Sequence, residues 1–116
     1  AVVSVEEDRR MAQSATELLL DLGIENASVV EGPLVDGLAP EGPYDVIVVD
    51  GAVETLPEGL LKQLKGEGRL VVIEGKGQAG VARLYQASEG VVSSRFGFNA
   101  SAEVLPGFEK AAEFVF

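Results

Sequence analysis

The sequence predicts an α/β fold with parallel strands first and antiparallel strands last. Up to Glu74, aliphatic runs alternate with stretches of helical periodicity, the order expected when crossover helices join parallel strands. Val46-Ile47-Val48-Val49 is aliphatic without a break, so both faces of that strand should be covered, as in a parallel sheet between helices. From Val81 onward the apolar period falls to two, the mark of antiparallel strands.

Val2-Val3-Ser4-Val5 reads as a strand that ends in Glu6-Glu7-Asp8. Met11, Ala15, Leu18, Leu19 and Leu22 share one helical face, predicting an amphipathic helix over about residues 7–22. Glu7 and Asp8 suit its positive end, and Gly23 suits the left-handed position after it, with Ile24 folding back. Ala27 to Glu31 is a second strand, and Gly32 to Pro43 an irregular connection. Tyr44 to Asp50 is the clearest strand. Thr55-Leu56-Pro57-Glu58 has the form of a capping box, predicting a helix with Leu60, Leu61 and Leu64 inward and Gly66 as its stop. Gly68 to Glu74 is another buried strand. Val81–Ala87 and Val91–Phe98 form a hairpin about Ser88-Glu89-Gly90, and Ala112 to Phe116 alternates again as a final strand. Leu105-Pro106-Gly107-Phe108 reads as a loop whose Leu and Phe anchor that strand.

Composition limits the function. Nine Lys plus Arg against nineteen Asp plus Glu give a net charge of −10. Nucleic-acid backbones are bound by cations that displace counterions, so no nucleic acid is expected as a partner, and anionic membranes are equally unsuitable. No apolar run approaches the roughly 20 residues of a membrane span. Cysteine and histidine are both absent, which removes disulfides, thiolate metal sites and the usual neutral-pH base. Asp50 with Glu54 is too thin a set for a metal, and none is expected. The first ten residues, half of them charged, do not read as a secretory signal. These features predict a soluble, reduced, cytoplasmic protein, with residues 1–116 as a single domain. Ala1 is not an initiator Met and a strand begins at once, so the chain reads as the C-terminal portion of something longer.

Several segments together carry a family resemblance. They are Val3-Ser4-Val5-Glu6-Glu7-Asp8, Leu22-Gly23 with Ala27-Ser28-Val29-Val30, and Pro43-Tyr44-Asp45-Val46-Ile47-Val48-Val49. Leu56-Pro57, Leu60-Leu61-Lys62-Gln63-Leu64-Lys65 and Gly66-Glu67-Gly68-Arg69-Leu70-Val71-Val72 follow at matching spacing. The chain resembles the second half of the class I S-adenosylmethionine-dependent methyltransferases, most of all the protein-L-isoaspartate O-methyltransferase family. The resemblance implies a Rossmann-like methyltransferase sheet whose first strand and glycine-rich turn lie upstream of Ala1. It also implies S-adenosylmethionine as cofactor and methyl transfer to a carboxylate of an isoaspartyl protein or peptide, in protein repair. Two alternatives stand beside this: a different methyl acceptor, or a non-catalytic relative that serves in assembly or regulation.

By the same resemblance, Glu6 matches the acid that holds the cofactor ribose hydroxyls; otherwise it is a helix-start charge. Gly32, Pro33 and Leu34 stand where the family has Gly-Asp-Gly beside adenine. Pro33 offers neither a side-chain acceptor nor a backbone donor. Asp50 falls at a strand edge that faces the methyl-donor pocket in related enzymes, or else satisfies a turn. No catalytic residue is identified: Ser93, Ser94 and Ser101 have no base nearby in sequence, and Arg69 and Arg95 read equally as solvated. Without the upstream strand, the strands at Val2–Val5 and Val46–Val49 each keep an unpaired edge. They should therefore pair directly, exchange elements with a second copy in a homodimer, or require the upstream segment.

Overall fold

In the computed structural model, which describes residues 1–110, the chain forms two compact units, Ala1–Leu38 and Ala39–Phe116. The expected final strand at 112–116 lies outside the described residues. In the first unit, strands β1 (Val2–Glu6) and β2 (Ala27–Glu31) are parallel, running in register from Val2 opposite Ala27 to Glu6 opposite Glu31. Helix α1 (Arg9–Asp21) connects them. It starts later than the periodicity predicts because Asp8 caps it: the Asp8 carboxylate accepts from the Arg10 and Met11 N–H groups at 2.9 and 3.1 Å.

The helix ends as predicted. Gly23 takes a left-handed φ of 68°, its N–H donates to Leu20 O, and the Ile24 N–H reaches back to Leu19 O. Those two bonds are the Schellman pattern. The buried face differs from the predicted one. Ala12 is buried and Ala15 and Leu19 are half-buried, whereas Met11, Leu18 and Leu22 are all more than half exposed. Two strands about 5 Å apart cover only a narrow stripe of a helix, so the flanks of the apolar face stay open.

The second unit is a four-stranded sheet in sequential order: β3 (Tyr44–Val53), β4 (Leu64–Glu74), β5 (Val81–Ser88) and β6 (Val91–Asn99). β3 and β4 are parallel, and the last three are antiparallel neighbours. The β5–β6 turn places Glu89 and Gly90 both at positive φ, as a two-residue hairpin turn demands. Between Pro43 and the end of β2 the connection is less irregular than predicted, with 3-10 turns at Leu34–Asp36 and Ala39–Glu41. β1 and β3 belong to different sheets, one in each unit.

Three further expectations are corrected. β3 is not covered on both faces: Ile47 and Val49 are half-buried, but Val46 and Val48 are 55% and 64% exposed. The predicted long helix after Thr55 is one turn, α2 (Glu58–Leu61), and Thr55 does not cap it. The Glu54 and Thr55 N–H groups both donate to Phe108 O, which holds this stretch extended until Pro57. Leu64, assigned inward on a helix, opens β4 opposite Tyr44, and the Gly66-Glu67-Gly68 stretch is a bulge rather than a helix stop. Gly68 is required there, since a Cβ would lie 2.8 Å from Lys65 O and 3.0 Å from Tyr44 O.

Segment 103–108 docks beside the end of β3. The Ala52 N–H donates to Glu103 O, the Leu105 N–H donates to Ala52 O, and Ala52 and Val104 form a parallel bridge. Phe108 is only 2% exposed and joins Ala52, Val53, Leu60, Leu64, Leu70 and Val72 in the core. Leu105 is thus attached to β3 and Phe108 to the stretch just after it, while the final strand they were expected to anchor lies outside the described residues. Phe108→Ala should cost about 3 kcal/mol, seen as a lower urea midpoint at unchanged slope. Leu20→Ala, at a position 73% exposed, should stay within about 0.5 kcal/mol.

Candidate functional site

The C-terminal rim of the β1–β2 pair brings together four of the five residues singled out from sequence. Glu6 ends β1 and is half-buried. Its Oε1 accepts the Asp8 N–H at 3.1 Å, which ties the carboxylate to the start of α1. Its backbone carbonyl accepts the Gly32 N–H at 3.0 Å, which ties the next turn to the same point. Among the described residues the ion pairs Lys65–Asp45 and Arg83–Glu74 do not involve Glu6. The other Glu6 carboxylate oxygen accepts no hydrogen bond from the described residues.

Gly32, Pro33 and Leu34 pass directly over this rim. A Cβ on Gly32 would meet Val5 Cγ1 at 4.0 Å, an ordinary contact, so packing within the chain leaves room there. Pro33 is exposed, with φ −61° and ψ 129°, and precedes the Leu34–Asp36 turn closed by Asp36 N–H to Pro33 O. Leu34 is half-buried and adds apolar surface. A polar ligand with two adjacent hydroxyls fits this set: a carboxylate to accept, a glycine that leaves space and an apolar flank. A strand-tip carboxylate is the type of group that accepts from ribose hydroxyls, whereas Pro33 offers no side-chain acceptor to a base amino group.

Asp50 lies in the other unit. It does not follow β3 as predicted, because the strand continues through Val53 across an irregular stretch between Val48 and Ala52. Gly51 lies in that stretch, where a Cβ would fall 2.6 Å from Leu105 Cγ. Asp50 is exposed and accepts no hydrogen bond from the described residues, so it does not satisfy the turn amides either. Glu54 is engaged, its Oε2 accepting the Lys110 N–H at 2.7 Å. Among the described residues no group of three potential metal ligands occurs, and no helix is long and apolar enough to cross a membrane. Arg69 and Arg95 are both exposed.

Sequence reasoning missed a polar cluster at the end of β4. The Tyr85 hydroxyl donates to Glu74 Oε1, and Arg83 Nε lies 3.2 Å from Glu74 Oε2. Period-two alternation placed Arg83 and Tyr85 on one side of a strand, but only the register, with Glu74 opposite Val81, aims both at the same acid. Burial, then the bond to Glu74 and its charge, push the Tyr85 phenol up to about 12 against the opposing pull of Arg83.

Comparison with known proteins gives a consistent picture. Residues 1–97 match the family model for protein-L-isoaspartate(D-aspartate) O-methyltransferase. The protein-L-isoaspartate O-methyltransferase of Ignicoccus hospitalis is 41% identical over 71 residues, 61% of this chain and 34% of that protein. The Aliivibrio fischeri protein of the same name is 35% identical over 88 residues, 76% of this chain and 42% of its own length. A solved protein-L-isoaspartate O-methyltransferase superimposes with a TM-score of 0.82 at 30% identity, covering 90% of this chain and 34% of that one. A Plasmodium falciparum structure, in complex with S-adenosyl-L-homocysteine, shares the fold with a TM-score of 0.75 at 19% identity, over 89% of this chain and 51% of that one. The chain spans about a third to a half of the length of the curated relatives it matches.

The folded state holds the Tyr85 proton more tightly than the unfolded chain, whose phenol ionises near 10. Its contribution to stability is therefore complete below about pH 10 and is lost as pH rises through about 12. An absorbance titration should show a late phenolate step near 12 that Tyr85→Phe removes, together with a flatter stability profile over that window.

Proposed function

Since the chain belongs to the protein-L-isoaspartate(D-aspartate) O-methyltransferase family, we propose that the protein carrying it methylates a carboxylate, with isoaspartyl residues of proteins or peptides as acceptors. The methyl donor in this reading is S-adenosylmethionine, which when bound supplies an electrophilic methyl carbon on a sulfonium. The carrying observation is the Glu6 carboxylate, held at the strand tip by Asp8 and open on its other oxygen. A strand-tip acid suits the two hydroxyls of a ribose. Gly32 leaves space beside Val5, and Leu34 offers apolar surface to the base. With Pro33 in the turn, a backbone carbonyl has to serve the base amino group.

The chemistry asks little more of these residues than position. An acceptor carboxylate is already anionic near neutral pH, so no general base is required, and the sequence has no histidine to serve as one. Binding and alignment then account for the role of this part of the protein. Asp50 enters the reading from the family resemblance, and its exposed carboxylate, without a hydrogen bond among the described residues, is open to a ligand. We assign no catalytic residue within the chain. In this reading residues 1–116 are the C-terminal portion of one methyltransferase domain acting in the cytoplasm. Pro33 favours one second reading, a family relative that has lost catalysis and serves in assembly or regulation.

Calorimetry of the complete protein with S-adenosylmethionine separates the two. The first reading expects saturable binding, weakened about 10- to 100-fold by Glu6→Gln, the range for losing hydrogen bonds to a charged group. Methyl incorporation into an isoaspartyl peptide then identifies the acceptor. No binding in the wild type sinks the first reading. Binding without incorporation into that peptide points to another acceptor.

A further inference from the structure

We propose that the outer strand β6 pairs antiparallel with β6 of a second copy of this chain, about a two-fold axis at Ser94. Two four-stranded sheets would then join into one of eight strands. The inference does not depend on the methyltransferase reading.

Among the described residues β6 closes the sheet on the side away from β3, and its pairing partner is β5. All nine residues from Val91 to Asn99 are exposed. Val91, Phe96 and Phe98 are 67%, 57% and 65% exposed, and Val92 is 42% exposed. An outer strand presents a row of unpaired backbone donors and acceptors, and proteins ordinarily protect it with Lys, Pro, inward charges or short length. β6 contains no Lys, no Pro and no acid; its protection is the single charge of Arg95 and the ladder shift at Gly97. In a chain of net charge −10, it is therefore an edge where two copies can approach without acid facing acid.

The backbone sets the usable length. The β5–β6 ladder is regular from Ser88 opposite Val91 to Arg83 opposite Phe96, then shifts before Ala82 opposite Phe98. Gly97 sits in that shift, where a Cβ would lie 3.0 Å from Ala82 O. The regular stretch is thus residues 91–96. A two-fold axis at Ser94 puts Val92 opposite Phe96 of the second copy and Ser93 opposite its Arg95. Aromatic against β-branched is a favourable cross-strand pair, and like charges directly opposite are unfavourable. An axis at Arg95 would face two guanidinium groups, and an axis at Ser93 would leave Phe96 opposite Gly90. Such a short strand pair buries less than the roughly 1,200 Å² of a standard interface, so the dimer should dissociate on dilution.

The absence of cysteine makes the register directly testable. Ser94→Cys should form a covalent dimer under mild oxidation. Ser93→Cys and Arg95→Cys should not, because their equivalents would be about 8 Å apart, beyond the roughly 7 Å reach of a disulfide. Light scattering should show the wild-type mass double at high concentration and return to that of a monomer on dilution. Val92→Lys with Phe96→Lys should remain monomeric throughout, with an unchanged circular dichroism spectrum. A wild type that is monomeric at every concentration overturns the proposal, as does cross-linking of Ser93→Cys or Arg95→Cys as fast as Ser94→Cys. A monomer with slowly exchanging β6 amides also overturns it, showing that another part of the same chain covers the edge.

Discussion

Parallel pairing is the constraint on which both units depend. A tight turn cannot connect two parallel strands, so each pair needs a crossover, and each crossover returns the chain to the same end of the sheet. All C-terminal strand tips of a pair consequently lie along one rim. In the first unit that rim gathers Glu6, the Asp8 cap and the 32–34 turn within one in-register pair. In open α/β sheets ligands bind outside such a rim, so connectivity alone nominates this one before any particular side chain is considered.

The second unit shows how a strand suited to burial behaves with one face covered. Its core is made on one side by Leu60, Leu64, Leu70, Val72 and Phe108, while Val46, Val48 and Val71 look outward. Among the described residues, docking of segment 103–108 protects the last part of the outer edge of β3. Gly51 permits that docking, because any side chain there would occupy the space of Leu105. The apolar outer positions match a chain that spans about a third to a half of its curated relatives.

How much of this could be read in advance depends on the range of the interactions involved. The strands at Val2–Glu6, Ala27–Glu31 and Val91–Asn99 were legible because aliphatic runs and period-two alternation are local. The Gly23 helix stop was legible for the same reason, since its bonds reach only to Leu19 and Leu20. The capping box at Thr55 failed because its competitor, Phe108 O, is more than fifty residues away. Leu64 was misplaced because a bulge in parallel pairing with Tyr44 has no signature in apolar spacing. At the rim, Glu6 could be found from its place at a strand end, whereas the Tyr85–Glu74–Arg83 cluster needed a register that periodicity does not contain.

The hydrogen bond from the Asp8 amide to Glu6 has a wider meaning. Asp8 also receives the first amides of α1 on its own carboxylate, so the aim of Glu6 and the winding of that first turn are one thermodynamic event. If a ligand binds the Glu6 carboxylate in the orientation held by the Asp8 amide, it also favours the capped helix start, and fraying of the start weakens that binding by the same free energy. The entrance of α1 is in this sense part of the binding equilibrium, although neither Arg10 nor Met11 need ever touch the ligand.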